Sequence, residues 1–253
     1  MKKICFIVSS PLTAHSFLSA PINKLSNDYE IYLIVNEKNK YKKLINNLNV
    51  KKVFHFEILR KISVFKDIRC LIKMIYFLKK NKFDAIHSVS PKAGLIGMLA
   101  GRFALIPKRI HTFTGQVWAT KKGFYRFFLK SIDRVIDNSA THVLVDGKSQ
   151  LKFLFDNNIA KNKGKILGNG SIAGISTKRF NPSLNERKKQ RKKLNIPKEE
   201  WVFMFLGRLN KDKGVIDLIR AFCLIDQTKN NCSLYLVGND EEKIKEKFNS
   251  YPN

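Results

Sequence analysis

The sequence is poor in acidic side chains. Its 253 residues include 20 Asp and Glu against 48 Lys and Arg, which gives a formal net charge of +28. A field of this sign attracts anions such as nucleic acids, acidic lipid headgroups and phosphorylated substrates. A coding bias toward Lys, Asn and Ile would also raise the lysine content, but it explains the low acidic count less well. We therefore expect an anionic partner.

Cysteine is also sparse. The four cysteines are Cys5, Cys70, Cys223 and Cys232, and no two of them form a C-x-x-C pair. No histidine lies nearby at the spacing of a metal ligand, so the pattern does not favour a zinc site or a disulfide framework. The first three lie in apolar sequence, and Cys232 opens a predicted strand. We expect reduced core cysteines in a cytoplasmic protein.

Long hydrophobic runs are missing as well. The longest apolar stretch, residues 93–106, contains Arg102 and is shorter than a membrane span. The apolar run at residues 4–8 is too short for a signal peptide. We expect a protein that is soluble, or that lies on a membrane surface without crossing it.

Two common nucleotide-binding motifs are absent. No G-x-G-x-x-G follows the first predicted strand, which argues against a nicotinamide-dependent dehydrogenase. The sequence also lacks G-x-x-x-x-G-K-[ST], so a P-loop nucleotidase is disfavoured. Residues 168–171, with the sequence GNGS, could bind an anion, although a plain turn is the more common meaning of two close glycines.

The patterns that are present alternate between two periods. Short apolar runs typical of buried parallel strands alternate with segments of helical periodicity. This alternation predicts a parallel, doubly wound α/β sheet, in which ligands bind beyond the carboxyl ends of the strands. The predicted strands are 3–8, 31–35, 53–56, 84–88, 109–112, 141–145 and 165–167, and the predicted helices are 15–25, 41–48, 64–78, 91–104, 124–136 and 148–157. The segments expected at the ligand-binding edge are 9–15, 88–91, 112–118 and 168–171.

A second unit follows a polar and basic connector. Residues 181–193 form a polar run rich in Lys and Arg, and Pro182 and Pro197 bracket its basic part. Beyond them the pattern predicts a strand, a helix, a further strand and the start of a helix. We predict a Rossmann-like domain over 1–175, a basic hinge over 176–198 and a second domain over 199–253.

The sequence FLGRLNKDKG at residues 205–214 predicts a strand, a short basic loop and the start of a helix. Such a turn presents free backbone N–H groups and the positive end of a helix dipole. Adding Arg208 and Lys213 makes a suitable seat for a diphosphate, because Arg binds phosphate oxygens in pairs and Lys supplies a compact charge. In a chain this rich in lysine, a basic loop without a ligand is an equally good interpretation of the local pattern.

Histidines and a basic aromatic helix are further candidates. His15 and His111 lie at the predicted ligand edge, although a lone histidine is more often structural than catalytic. The helix predicted at 124–136 combines aromatic with basic residues and suits an anionic membrane surface. The alternative is a helix whose aromatic side chains pack on the sheet. The residues predicted to face a membrane are Lys121, Lys122, Arg126, Phe127 and Lys130.

Four segments together resemble one known family. They are HSVSPKAGLIGMLAGRFA at 87–104, RIHTFTGQVWATKKGFYR at 109–126, GNGSIAGISTKRFNP at 168–182 and FLGRLNKDKGVIDLIRAF at 205–222. The chain resembles the retaining, nucleotide-sugar-dependent glycosyltransferases of family 4, also called group 1 glycosyltransferases, which have the GT-B fold. The second segment is most similar to enzymes that add sugars to polyprenyl-diphosphate-linked intermediates of capsule and lipopolysaccharide assembly.

The resemblance implies a fold and a reaction. An N-terminal Rossmann-like domain would bind the acceptor, and a C-terminal one would bind a nucleoside-diphosphate sugar. A hexose or N-acetylhexosamine would pass to a lipid-linked acceptor at the inner face of the cytoplasmic membrane. No metal or other cofactor is expected.

The resemblance also implies roles for individual residues. Arg208 and Lys213, with Gly207 and Gly214, match the family's donor diphosphate site, and we expect both cations to be free of carboxylate partners. The catalytic region would contain His111, Thr114 and Gly115, although the family's histidine falls nearer the Thr-Gly pair. The residues expected to face the acceptor or the donor phosphate are Ser9, Ser10, His15, Asn169, Gly170 and Ser171.

The chain departs from the family in its C-terminal part. The family's second domain normally continues for over a hundred residues and carries an E-x(7)-E motif, whereas no two glutamates here have that spacing. We expect an incomplete second domain whose last strand edge is unpaired, so that the isolated chain aggregates or recruits a partner supplying the missing half. The alternatives are a non-catalytic membrane- or acceptor-binding fragment, or half of a split enzyme. A nucleic-acid-binding protein is suggested by charge alone.

Overall fold

The computed structural model describes residues 1–36, 42–59, 63–225 and 231–248. The chain divides into two compact units, Met1–Ser176 and Thr177–Asn253. The first boundary lies one residue after the predicted end of the first domain. Of the predicted helix 41–48, residue 41 lies outside the described residues, and a short 3-10 helix covers Lys42–Ile45.

The first unit is built on a seven-stranded parallel sheet with the strand order β3-β2-β1-β4-β5-β6-β7. The order reverses between β1 and β4, as in a doubly wound fold. The predicted α/β class is therefore confirmed. The strands are β1 Lys3–Ile7, β2 Glu30–Val35, β3 Lys52–His55, β4 Ala85–Val89, β5 Lys108–Phe113, β6 His142–Val145 and β7 Gly164–Lys165.

Helices connect these strands and cover the sheet. The connections from β3 to β4, from β4 to β5 and from β5 to β6 all run in the same direction across the sheet. Because such crossovers are right-handed, they place the three connecting helices on the same side of the sheet. The middle one packs against both of its neighbours. The helices of this unit are α1 Pro11–Thr13, α2 Ser19–Leu25, α3 Val64–Asn81, α4 Pro91–Phe103, α5 Gly123–Ser139 and α6 Lys148–Asp156, with a π-helical turn at Ala14–Leu18 between α1 and α2.

Helix α4 approaches the sheet closely because glycines replace bulkier residues on its inner side. A Cβ atom on Gly94 would lie 2.4 Å from Cε1 of His111, and one on Gly101 would lie 2.2 Å from Cδ1 of Ile86. This close approach buries the face of β4 and β5 that lies under the helix.

The cysteines are free, but only two of them are core residues. Cys5 and Cys70 are buried, and burial raises the pKa of the Cys70 thiol to about 11. Cys223 is exposed and Cys232 is half-buried. The prediction of a core position was wrong for Cys223, because this residue lies on the outer side of a helix in the second unit.

The second unit contains a two-stranded parallel sheet. The predicted basic connector forms a helix whose start is capped, since Oγ of Ser183 accepts a hydrogen bond from N of Glu186 at 3.3 Å. Within the described residues β8 pairs with β9 alone. The elements are α7 Leu184–Lys193, β8 Trp201–Leu206, α8 Val215–Cys223, β9 Cys232–Val237 and α9 Ile244–Phe248, with a 3-10 turn at Lys211–Lys213.

The contact between Gly94 and His111 predicts a specific cost of adding one methyl group. We expect Gly94→Ala to lower the free energy of unfolding by about 1–3 kcal/mol, because the new Cβ overlaps a buried ring. Urea denaturation followed by circular dichroism measures this change.

The matched control is Gly147→Ala. Gly147 has extended backbone and no atom within 4 Å of an added Cβ. Gly147 is the N-cap of α6, and alanine caps a helix less well than glycine, so we expect a loss of about 0.5–1 kcal/mol from capping alone. Equal effects of the two substitutions would contradict the proposed overlap.

Candidate functional site

The basic loop of the second unit joins β8 to α8. Its backbone is held by the end of β9 and the segment that follows, since Gly207 N donates to Val237 O at 3.0 Å and Leu209 N donates to Asn239 O at 2.9 Å. Gly214 has φ 72°, in the left-handed region, and ends the 3-10 turn just before α8 begins. The sequence prediction of strand, loop and helix is correct here.

Arg208 is paired with a carboxylate, contrary to expectation. Its Nη1 lies 3.0 Å from Oε2 of Glu241. The two side chains are 56% and 37% exposed, and ion pairs of this kind are worth about 0–1 kcal/mol. A multiply charged phosphate can therefore displace Glu241 at small cost. The expectation of a free guanidinium was wrong because the partner lies 33 residues further along the chain.

Lys213 fits the expectation of an unpaired cation. Its ammonium group makes no hydrogen bond or ion pair with any described residue and lies on the exposed surface. The start of α8 directly follows, so the charge of Lys213 adds to the positive end of the helix dipole. This part of the loop is open to an anion.

Asn210 connects this loop to the same glutamate. The side chain is 6% exposed, and its Nδ2 donates to Oε2 of Glu241 at 2.9 Å. Its Oδ1 has no hydrogen-bond partner among the described residues. Glu241 thus contacts two loop residues, a role that the sequence pattern did not indicate because it marked only a helix start there.

In the first unit, the loops after β1 and β4 meet at the carboxyl edge of the sheet. The hydroxyls of Ser9 and Ser90 are 3.3 Å apart. Ser10 caps α1 by accepting a hydrogen bond from N of Thr13 at 3.3 Å. Both Ser9 and Ser10 are buried, while His15 lies exposed on the π-helical turn. The predicted clustering of these two loops is correct, but the side chains of Ser9 and Ser10 form their hydrogen bonds within the loops.

His111 does not reach this edge. Its ring is 1% exposed, lies under Gly94 and shares a 2.8 Å hydrogen bond between Nδ1 and Oγ of Ser88. Burial, and to a lesser degree nearby His87, lowers the pKa of the ring to about 3. The structure contradicts a catalytic role for His111, because its strand position points the side chain into the core.

The adjacent strand positions face the other way and line a cavity. Nε2 of His87 and Oγ1 of Thr112 are 2.8 Å apart. Burial lowers the pKa of His87 to about 4, so the ring is neutral at pH 7. The cavity has a volume of about 180 Å³, and its lining includes Leu18, Pro21, Leu144, Asp146, Ser171 and Ile172 in addition to this pair.

Sequence reasoning missed His87 and Thr112. The available signal was the strand alternation, since Ser88 and His111 are register partners in β4 and β5. Side chains one position away must lie on the opposite face. Once Gly94 assigns His111 to the helix-covered face, His87 and Thr112 belong to the other.

The glycine loop at residues 168–171 is a turn fastened to the end of β6. Ser171 N donates to Asp146 O at 2.8 Å, and Ile172 N donates to Oδ1 of Asp146 at 3.0 Å. A Cβ on Gly170, whose φ is 94°, would lie 2.4 Å from the same Asp146 oxygen of the backbone. Two amides that could face an anion are thus occupied, which favours the turn interpretation. Asn169 remains exposed beside the cavity lining.

The loop after β5 keeps Thr114 and Gly115 exposed while a buried tryptophan anchors it. Trp118 donates from Nε1 to Oδ2 of Asp133 at 2.7 Å. Burial raises the pKa of Asp133 to about 6 despite this hydrogen bond. The catalytic assignment of Thr114 and Gly115 stays a prediction.

Two of the predicted membrane-facing cations lie against the same tryptophan. Arg126 and Lys130 are half-buried, 5.3 and 5.5 Å from the Trp118 ring centroid. Each also donates a hydrogen bond within the protein, Arg126 to Ala119 O and Lys130 to Oδ1 of Asn157. Desolvation lowers the pKa of Lys130. Their assignment as membrane-facing was wrong, because the helix turns them toward Trp118. Lys121, Lys122 and Phe127 are exposed, as predicted.

The aromatic side chains of α5 do not pack on the sheet. Phe124, Phe127 and Phe128 are all exposed. In the described ranges, every helix is too short or too polar to cross a lipid bilayer. Across those same ranges, His, Cys, Asp and Glu side chains nowhere gather in a group of three that could hold a metal ion.

Comparison with known proteins gives two family matches. The model described as Glycosyltransferase Family 4 matches residues 25–170. The model described as Glycosyl transferases group 1 matches residues 186–252. The two matches fall on different units of the chain.

Curated relatives extend the likeness. The capsular polysaccharide biosynthesis glycosyltransferase CapM of Staphylococcus aureus is 34% identical over 183 residues, which cover 72% of this chain and 48% of CapM. An Escherichia coli UDP-Gal:alpha-D-GlcNAc-diphosphoundecaprenol alpha-1,3-galactosyltransferase is 26% identical over 230 residues, 87% of this chain and 57% of that protein. The chain spans about half the length of these relatives.

Solved structures share the fold. Anabaena Alr3699/HepE, in complex with UDP-glucose, matches with a TM-score of 0.72 and 15% identity over 98% of this chain and 65% of that one. Sucrose-phosphate synthase from Thermosynechococcus elongatus matches with a TM-score of 0.70 and 16% identity over 99% of this chain and 68% of that one. At this identity the likeness concerns the fold alone.

The buried Asp133 predicts a pH dependence of stability. Its pKa is about 6 in the folded chain against an ordinary value of 3.8, so the folded state holds the proton more tightly. The free energy of unfolding should therefore fall as the pH rises from about 4 to about 6, by about 1.4 kcal/mol per unit of pKa difference. We expect Asp133→Asn, which retains an acceptor for Trp118, to be more stable than wild type at pH 7.5 and equal to it near pH 4.

Urea denaturation at a series of pH values checks this, with Asp156→Asn as the control, because Asp156 is exposed. Wild type and both variants also lose stability at low pH, because the pKa values of His87 and His111 are lowered in the folded state. This contribution cancels when each variant is compared with wild type. A gain for Asp133→Asn that does not change with pH would contradict the assignment.

Proposed function

The chain belongs to glycosyltransferase family 4, and from this premise we propose that it acts in the transfer of a sugar from a nucleoside diphosphate to a lipid-linked acceptor. The named functions of the Staphylococcus aureus and Escherichia coli relatives, in capsule synthesis and on a diphosphoundecaprenol acceptor, support this proposal. The transferred group would be a hexose or N-acetylhexosamine, with retention at the anomeric carbon.

The observation that carries the proposal is the loop between β8 and α8. Lys213 is unpaired among the described residues, and Arg208 has only an exposed, exchangeable partner. As the bond to the leaving diphosphate breaks, negative charge grows on its oxygens. Cations placed there stabilise the transition state more than the ground state. With two such charges in the loop, we propose that the reaction needs no bound metal.

The first unit supports the acceptor side. Its cavity presents neutral polar groups, because the His87 ring is uncharged at pH 7 and shares a hydrogen bond with Thr112. Such a surface suits hydroxyl groups better than phosphates. Thr114 and Gly115, which are exposed, follow directly after β5 and would border the same acceptor.

A lipid-linked acceptor requires the protein to work at a membrane surface. The exposed Phe124, Phe127 and Phe128, preceded by the exposed Lys121 and Lys122, support peripheral binding to an anionic bilayer. We place this contact at the inner face of the cytoplasmic membrane, where nucleotide sugars are available.

A second candidate is a module that binds the acceptor or the membrane and lacks donor chemistry. The exposed apolar residues of β8, Trp201, Met204 and Leu206, favour it, because such a surface suits contact with a partner polypeptide. Nucleotide binding by the chain alone separates the two candidates.

Titration with UDP tests the diphosphate site. We expect Lys213→Ala to weaken binding by about tenfold to hundredfold, since a charge on the diphosphate is lost. Calorimetry or fluorescence at fixed ionic strength measures it. The control is Arg220→Ala, which removes an exposed charge from α8 outside the loop. If wild type does not bind UDP, the module interpretation is favoured, and equal losses in both variants would reduce the site to general charge attraction.

Glu241 offers a test of opposite sign. If UDP displaces its carboxylate from Arg208, Glu241→Gln should tighten UDP binding by about two- to fivefold, because an exposed pair is worth at most about 1 kcal/mol. The same titration measures it. Weaker binding would instead mean that Glu241 holds Arg208 in its binding position.

A further inference from the structure

Helix α3 carries apolar residues on the side that faces solvent. Phe65 is 90% exposed and Tyr76 is 73% exposed, and Ile68 and Ile72 between them are also exposed. The spacing of these four residues by three or four positions places them on one face of the helix. We call this set the α3 stripe.

The α3 stripe is separate from the core-facing side of the helix. Cys70, Met74 and Leu78 are buried and hold α3 against α4 and the sheet. Helices on a protein surface usually have one apolar side, which faces the core. Because α3 has a second apolar side, folding of this unit does not account for the stripe.

The exposed charges of α3 are all positive. The cations Lys66, Arg69, Lys73, Lys79 and Lys80 are exposed on the same helix. The helix has one acidic residue, Asp67, which is half-buried, pairs with Lys92 and accepts a hydrogen bond from N of Ser63 at 3.1 Å.

The neighbouring helices show the same charge pattern. α4 has no acidic residue, and both acids of α5, Asp133 and Asp137, are buried. Helices α3, α4 and α5 pack side by side, so the outer side of these three helices presents apolar and cationic groups without an exposed carboxylate. The exposed Asp156 belongs to α6, which follows α5 in the crossover order. The two aromatic ends of this outer side, Phe65 and Phe124, both lie in a first helical turn, at the carboxyl edge of the sheet.

We propose that the α3 stripe is a second lipid-contact surface, which inserts into an anionic bilayer beside the aromatic side chains of α5. The flanking cations bind lipid phosphates while the stripe enters the acyl boundary. The two contacts together fix the orientation of the unit, and their first-turn residues Phe65 and Phe124 bring the carboxyl edge of the sheet to the lipid surface. The choice of a membrane rests on the proposed function, whereas the exposed stripe and its charges do not.

Charge complementarity selects the bilayer over a second copy of the chain. Pairing two α3 stripes would bring two sets of lysines and arginines together in a molecule whose net charge is already +28. An anionic bilayer neutralises the same groups. Salt limits the attraction between the flanking cations and the lipid phosphates to a short range. Cations that bind the bilayer therefore bring the stripe between them to the lipid surface as well.

The test uses flotation of the whole chain with phosphatidylcholine vesicles, with and without phosphatidylglycerol. One variant combines Phe65→Ser, Ile72→Ser and Tyr76→Ser, and a second combines Lys66→Gln, Arg69→Gln and Lys73→Gln. We expect the first to lower partitioning into anionic vesicles by about tenfold or more. The second should lower it by about fivefold per cation, about a hundredfold in all.

Matched controls come from exposed residues of the second unit. The apolar control combines Phe180→Ser, Leu184→Ser and Leu194→Ser, and the charge control combines Lys188→Gln, Lys189→Gln and Lys192→Gln. Each control makes the same chemical change away from α3, so we expect much smaller losses. Equal losses in the α3 variants and their controls would overturn the proposal, as would equal binding of wild type to neutral vesicles.

Two further measurements separate the remaining explanations. Self-association in lipid-free buffer that the serine variant abolishes would identify a second copy as the occupant and overturn the proposal. UDP titration of the α3 variants should match wild type. If the α3 variants bind lipid as well as wild type does, this inference is wrong and the diphosphate site is unaffected. If wild type does not bind UDP, only the proposed function is wrong.

Discussion

Alternation of side chains along two central strands decides which polar residues of the first unit can meet a ligand. β4 and β5 are buried on both sides, and Gly94 lets α4 press so closely that the ring of His111 fills the space beneath it. That contact fixes the register of both strands with respect to the helix layer. Ser88 and His111 then belong to the core, and His87 and Thr112 must face the cavity. A shift of one residue would exchange the two pairs.

The positively charged residues of the chain have several different roles. Arg126 and Lys130 serve packing against Trp118, while Lys92 neutralises Asp67. Among the residues that the structure describes, Lys213 is unpaired at a helix start, and Arg208 forms a pair that an anion can replace. Net charge therefore measures attraction to anions in general. The site chemistry depends on the few cations whose partners are absent, exposed or displaceable.

The fold was predictable from sequence because its signals are local. Strand runs, helical periodicity and the glycines of α4 each reflect contacts within one element or with the nearest sheet. The site was predictable only in part. The bond from Trp118 to Asp133 spans 15 positions, and the contact of Arg208 with Glu241 spans 33. Such partners leave no periodic trace, so Arg208 was expected to be free and Arg126 to face a membrane. The catalytic assignment of His111 was wrong for a related reason, since the motif located the end of the strand but not the face of the sheet to which the side chain points.

The distribution of the few acidic residues answers the question raised by their scarcity. A coding bias would thin carboxylates evenly over the surface and the interior, without regard to their partners. In the layer of α3, α4 and α5, however, the acids that remain are buried or half-buried and bonded: Asp67 to Lys92, Asp133 to Trp118, and Asp137 to the backbone of Ala160. Each is retained where the fold uses it, and none is exposed beside the aromatic side chains. This arrangement is expected of a surface that must approach negative charge, and it explains why charge and exposed apolar residues occur together on that layer.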